Sequence, residues 1–141
     1  MIYDLAIIGA GSGGLSVAAA AAQFGQSVIL FEKGKMGGDC LNYGCVPSKA
    51  LIAAAKQAHV FRTSGPYGIA AAEPKVDFKK VRDHIRKVIA AIEPHDSAAR
   101  FEKLGVKVVP GAAKFRDAKT LESGGSIFSA KRIVIATGSR P

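Results

Sequence analysis

Cys40 and Cys45 stand in the segment Gly37-Gly38-Asp39-Cys40-Leu41-Asn42-Tyr43-Gly44-Cys45-Val46-Pro47-Ser48-Lys49. Two thiols this close can carry an electron pair as a dithiol and a disulfide, provided the backbone brings them together. A regular α-helix does not, because residues five apart in it have Cα atoms about 8 to 9 Å apart. A disulfide closes only below roughly 7 Å. A local break in the helix would close the gap, and Gly44 and Pro47 are the residue types that permit one. A bridge made under such strain is readily reduced, the property a redox couple needs. Lys49, four residues past Cys45, is placed to lower a thiol pKa or to meet an electron-rich cofactor ring. Two other readings stay open on these residues alone. A zinc half-site is one, although His59, His84 and His95 lack the spacing that zinc ligands prefer. Two inert cysteines are the other.

The second cluster is Gly9-Ala10-Gly11-Ser12-Gly13-Gly14, a GxGxxG pattern. Such a turn by itself is weak evidence, so its surroundings decide. The apolar run Tyr3 to Ile8 ahead of it suits a buried strand. Ser12 to Phe24 behind it, with five consecutive alanines, suits a closely packed helix capped at Gly25. Ser27 to Phe31 then reads as a second buried strand, closed by Glu32 eighteen residues after Gly14. Strand, glycine turn, helix, strand and terminal acid form the dinucleotide-binding unit. In it the first glycine makes the turn, the second lets backbone reach a pyrophosphate, and the third lets helix pack on strand. The free amides of the helix start receive the phosphates. An acid at Glu32 suits ribose hydroxyls, whereas a 2′-phosphate would call for a base.

These sites need a scaffold. Residues 32–39 read as loop, and Cys40 to about Val60 as helix apart from the interruption near Gly44 and Pro47. Arg62 to Lys75 carries two glycines and two prolines and reads as a connection. Phe78, Val81, Ile85, Val88, Ile89 and Ile92 define an amphipathic helix with Asp77 as its cap, perturbed at Pro94 and resuming through Phe101 and Leu104 to Gly105. Short strands are expected at 106–109, 112–115, 120–122 and 126–128, a small antiparallel meander with Gly124-Gly125 as a hairpin turn. Ile133 to Ala136 is a final buried strand ending in Thr137-Gly138-Ser139. The fold class is α/β, a Rossmann-like parallel sheet with crossover helices and that meander.

Length and composition agree. At 141 residues the chain makes one domain, and 48% hydrophobic content excludes a disordered tail or a disulfide-dense scaffold. The net charge of +9 is lopsided, since residues 1–55 hold three acids and three bases. The excess lies in the back half, at helical spacing and without interleaved aromatics, which reads as a solvated helix face rather than a nucleic-acid surface. The uncharged stretch from Leu5 to Phe31 is long enough for a bilayer, but its five glycines and the lack of a positive lead argue against a span or a secretory signal. The reducing cytoplasm is then the expected compartment, where paired cysteines read as catalytic or metal-binding.

The AIIGAGSGG turn, Glu32, the GGDCLNYGCVPSK segment and the terminal IVIATGSRP together resemble the FAD-dependent pyridine nucleotide-disulfide oxidoreductases. PSKAL and EPHDSAARFEKLGV look most like their lipoamide dehydrogenase and mercuric reductase branch. The resemblance implies that Gly9, Gly11, Ser12, Gly13 and Gly14 cradle the FAD pyrophosphate and that Glu32 holds the adenosine ribose. It implies that Ala112 and Ala113 offer backbone to the adenine, and that Ala136, Thr137 and Gly138 close over the nucleotide. Lys33, Gly38 and Asp39 complete the implied cofactor-binding set. Cys45 would lie against the flavin, Cys40 would meet the substrate, and Lys49 would sit beside the reactive ring nitrogen. Electrons would pass between NAD(P)H, flavin and the Cys40–Cys45 pair, and on to a small disulfide, dithiol or metal ion.

Two positions depart from the family pattern. Asp39 stands where many members have threonine, and a carboxylate near a pyrophosphate repels it unless a base or proton compensates. Tyr43 replaces a common small aliphatic residue. Relatives also carry an NAD(P)H domain, a returning FAD-domain segment and a dimerisation domain. The chain therefore reads as the N-terminal part of an FAD-binding domain, inactive alone and belonging to a longer, homodimeric parent. The rival reading is a stand-alone flavin-binding or thiol-sensing module without turnover.

Overall fold

The computed structural model describes residues 1–139. Arg140 and Pro141, the end of the terminal motif, lie outside the described residues. The elements in order are β1 (Ile2–Ile8), α1 (Ser12–Gln23), β2 (Val28–Glu32), α2 (Gly38–Asn42), α3 (Cys45–Thr63), α4 (Phe78–Ile92), α5 (Ala98–Lys103), β3 (Lys107–Pro110), β4 (Lys114–Phe115), β5 (Thr120–Ser123) and β6 (Ser126–Ile135). One six-stranded sheet has the order β3-β2-β1-β6-β5-β4. The first four are parallel, and β4 and β5 run antiparallel at the other edge.

The apolar run Val28 to Phe31 is buried on both faces, as a central strand of a parallel sheet requires. Alternate residues go to opposite layers. Ile7, Val28 and Leu30 pack with Leu15 and Ala18 of α1 and with Phe101 of α5. Ala6, Ile29 and Phe31 pack with Leu121 and Ala130. There Phe31 meets Phe128 edge to face, with ring centroids 5.3 Å apart. Helix α1 ends as its sequence dictates. Gly25 takes φ +72, its amide donates to Ala22 O, and the Gln26 amide donates to Ala21 O. This Schellman closure frees the chain to enter β2.

Asp4 ties the sheet together at the end opposite the site. Its Oδ2 accepts from the Ser27 amide at 2.9 Å and the Ser27 hydroxyl at 2.7 Å, and its Oδ1 accepts from Lys131 Nζ at 2.6 Å. Bonds from Lys131 and Ser27 hold the Asp4 carboxyl well below the usual carboxylate range.

The structure corrects three expectations and narrows a fourth. The 106–109 strand, observed as β3, joins the parallel edge beside β2 and not the meander. The strand expected at 112–115 shrinks to Lys114–Phe115. The strands expected at 126–128 and 133–136 are one ten-residue strand, β6, which pairs antiparallel with β5 from Ser126 to Ser129 and parallel with β1 from Ser129 to Ile135. The interruption expected near Gly44 and Pro47 is present but confined to Tyr43 and Gly44, because Pro47 occupies the first turn of α3, where no intrahelical N–H partner is lost.

Elsewhere the helical expectations hold. Asp77 caps α4, its Oδ1 accepting from the Lys79 and Lys80 amides at 3.0 and 3.2 Å. Val81, Ile85, Val88 and Ile89 are half-buried on α4, which packs against α3, and its lysines and arginines are exposed. Pro94 sits in a short 3-10 turn, Glu93–Asp96, after which Ser97 caps α5. Among the described residues no helix is long and apolar enough to cross a membrane.

Candidate functional site

The parallel strands β1, β2, β3 and β6 end at a common cleft of about 690 Å³. Ligands in open α/β sheets bind at the carboxyl ends of the strands, where the strand order reverses, and this cleft lies there. β1 is held on both sides as it arrives, since the Gly9 amide donates to Phe31 O and the Ala136 amide donates to Ile8 O, each at 2.8 Å.

The glycines then divide their work. Gly9 has φ +106, and a Cβ there would fall 2.3 Å from Ala136 O. At Gly14 a Cβ would lie 1.9 Å from Gly9 O, so this glycine lets α1 pack against its own entry turn. At Gly13 a Cβ would meet nothing within 4 Å, and at Gly11 only Gly38 Cα at 3.9 Å. Both line the cleft. Their missing side chains therefore leave space for a ligand rather than relieve a clash in the protein. The N-terminus of α1, with Gly11 at its cap and no side-chain cap bond, opens toward that space.

Ala10 joins the turn to the rest of the site. Its amide donates to Glu32 Oε2 at 2.7 Å, and its carbonyl accepts from the Gly37 amide at 2.9 Å. Glu32 Oε1 accepts from the Gly34 amide at 2.7 Å. Each carboxylate oxygen keeps a further lone pair, and Glu32 lines the cleft. The Asn42 side-chain amide donates to Met36 O at 3.0 Å and to Gly38 O at 2.9 Å, fastening the loop after β2 to α2. Gly38, φ +57, stands against Gly11 so closely that a Cβ on Gly38 would fall 2.7 Å from Gly11 Cα. The cysteine segment thereby abuts the glycine turn.

The cysteine helix breaks at one place. α2 ends at Asn42 and α3 begins at Cys45, and the Tyr43 and Gly44 amides both donate to Asp39 O, at 2.9 and 2.6 Å. A Cβ on Gly44 would lie 3.1 Å from that oxygen, so the tight turn needs its absence. The break sets the two thiols beside each other, both cysteines being free. The Cys45 thiol pushes the Cys40 thiol up in pKa, and burial adds to this. The Cys45 amide and the Lys49 charge oppose the rise without cancelling it. The expected influence of Lys49 on a thiol is thus present in direction and overridden in sum.

Of the sequence-derived residues, Gly9, Gly11, Ser12, Gly13, Glu32, Lys33, Gly38, Asp39, Cys40, Ala112, Ala113, Ala136, Thr137 and Gly138 share the cleft wall. Gly14 lies behind it as packing. Cys45 and Lys49 are exposed at the start of α3, outside the lining. Lys35, Tyr43 and Gly111 line the cleft without having been singled out as binding residues. Gly111 alone carried a signal, a glycine at a strand end, and it takes φ +131.

A pyridine nucleotide-disulphide oxidoreductase family model matches residues 3–141. The chain belongs to this family. It is 41% identical over 148 aligned residues to a mercuric reductase of Streptomyces lividans, covering 99% of this chain and 31% of that protein. It is 38% identical to a dihydrolipoyl dehydrogenase of Geobacillus stearothermophilus, covering 96% of this chain and 29% of the relative. A solved structure, the Cu(II) complex of the HOCl-induced flavoprotein disulfide reductase RclA from Escherichia coli, superposes with a TM-score of 0.78 at 24% identity. That match covers 97% of this chain and 28% of the other and supports the fold. The chain spans less than a third of the length of each of these proteins.

Proposed function

We propose that this chain is the FAD-binding part of a disulfide oxidoreductase in which Cys40 and Cys45 are the redox couple. One observation carries the reading: Cys40 lines the dinucleotide cleft, and the break at Gly44 sets its thiol beside that of Cys45. The residues fit the cofactor. Gly11 and Gly13 leave the space a diphosphate needs beside the open start of α1, Glu32 faces the cleft with spare lone pairs, and Ala112 and Ala113 present backbone at its far wall. A bound FAD would supply a two-electron carrier between NAD(P)H and the thiols.

The protein's own steps follow from the couple. Oxidation of the dithiol forms one S–S bond and releases two electrons and two protons, and reduction reverses this. The family resemblance assigns Cys40 to exchange with a disulfide, dithiol or metal-ion substrate and Cys45 to the flavin side, although it is Cys40 that lines the cleft and Cys45 that lies outside its lining. Lys49 stabilises the thiolate form of the pair, since its positive charge favours negative sulfur. The NAD(P)H site, the dimer contact and the base that accepts the thiol proton belong, in this reading, to further domains of a longer parent in the reducing cytoplasm. The outer edge of β6 from Lys131 to Ile135 supports that extension, because among the described residues no strand covers it and Ile135 is exposed.

The test is a flavin spectrum. The chain loaded with FAD and reduced by a dithiol should develop long-wavelength absorbance that disappears in Cys45→Ser and persists in Cys40→Ser. Persistence in both variants overturns the role assignment, and a loaded protein with no thiol-dependent band favours a flavin-binding module without turnover.

A further inference from the structure

Asp39 lines the cleft in the first turn of α2, and among the described residues no ion pair holds its carboxylate. A diphosphate seated on α1 would face that carboxylate across the Gly11–Gly38 contact. The cleft therefore needs a compensating cation. Two lysines of the same loop line the cleft, Lys33 and Lys35, and Lys35 is the one whose ammonium an aromatic ring meets. The Lys35 carbonyl accepts the Gly38 amide at 3.3 Å. Its ammonium rests 5.9 Å from the centroid of the Tyr43 ring. Tyr43 is itself 70% exposed and belongs to neither core cluster, and its ring is within cation–π range of the ammonium. Asn42 fixes the spacing between the two, since it binds Met36 O and Gly38 O from the turn that carries Tyr43.

We propose that Lys35 is a further cofactor-binding residue, the counter-cation that offsets Asp39 and meets the diphosphate, and that Tyr43 is its positioning residue. This rests on the reading of the cleft as a dinucleotide site. Lysine is suited to the role as a compact point charge on a flexible stem, which the ring face confines to the cleft rim.

The experiment is an FAD titration of the full chain, followed by flavin fluorescence at low and high salt, with circular dichroism to confirm folding. Lys35→Met should weaken affinity about fivefold at low salt, and the loss should shrink in 0.5 M salt as screening replaces the ammonium. Tyr43→Leu should reproduce part of that loss. Adding Asp39→Asn to Lys35→Met should restore affinity to within about twofold of wild type, because the uncompensated carboxylate is gone. Unchanged affinity in Lys35→Met, or a double variant no better than the single, overturns the proposal while leaving the cleft reading standing. Wild-type chain that binds no FAD overturns both.

Discussion

The Ala10 amide and Glu32 Oε2 meet at 2.7 Å across 22 residues of sequence. Glu32 is therefore a structural acceptor whatever it does for a ligand, and one side chain fixes the glycine turn relative to the end of β2. Glu32→Gln preserves the shape but turns one acceptor into a donor facing an amide N–H. The expected cost is about 1 to 3 kcal/mol of unfolding free energy, together with weaker FAD binding. Urea unfolding and flavin titration of the same variant measure the two effects. A variant that loses affinity at unchanged stability would assign Glu32 to the ligand alone.

Two glycines of one motif should respond oppositely to the same change. Gly14→Ala drives a Cβ to 1.9 Å from Gly9 O, a backbone atom that cannot step aside. Destabilisation of about 3 kcal/mol or more is expected. Gly11→Ala meets only Gly38 Cα at 3.9 Å, so stability should stay within about 0.5 kcal/mol. Its methyl enters the ligand space, and FAD affinity should fall at least tenfold. Thermal melts with and without FAD distinguish the pair.

Gly44→Ala tests the thiol geometry. Its Cβ would lie 3.1 Å from Asp39 O and 3.7 Å from Cys40 Cα, pressing on the turn that joins the two cysteines. Oxidation of the pair in a glutathione redox buffer should slow, with the fold retained. An unchanged oxidation rate would mean that the thiols meet without this turn.

Acid should weaken the fold through Asp4. Its pKa lies below the ordinary carboxylate range because Lys131 and Ser27 favour the charged form. A depressed native pKa adds stability that is fully present above the unfolded value and fades as pH falls through the native one. Wild-type stability should therefore decline on acidification below about pH 4. In Asp4→Asn that share of the decline should vanish, from a lower starting stability at neutral pH. Parallel pH profiles for the two proteins would contradict the role given to Asp4.

Much of this was legible in the residues. Glycine placement and the apolar run of β2 identify the strand, turn, helix and strand, because tight turns and central strands restrict residue type so strongly. The Phe78–Ile92 helix follows from its spacing, and one face does meet α3. β6 was harder to read. Lys131 and Arg132 interrupt its apolar pattern, yet both are exposed along the strand and do not break it. The interruption near Gly44 and Pro47 was legible, but its narrowing to Tyr43 and Gly44 depends on where α3 starts, since a proline in a first turn loses no hydrogen bond. The Ala10–Glu32 and Lys35–Tyr43 contacts carry no periodic signal, because tertiary placement creates them.

The most direct measurement is equilibrium binding of FAD to the wild-type chain by fluorescence titration, with Gly11→Ala as the control. The account predicts saturable binding at one FAD per chain, at least about tenfold weaker in the control while both proteins stay folded. A folded wild-type chain that shows no saturable binding, or a control that binds equally well, would contradict it.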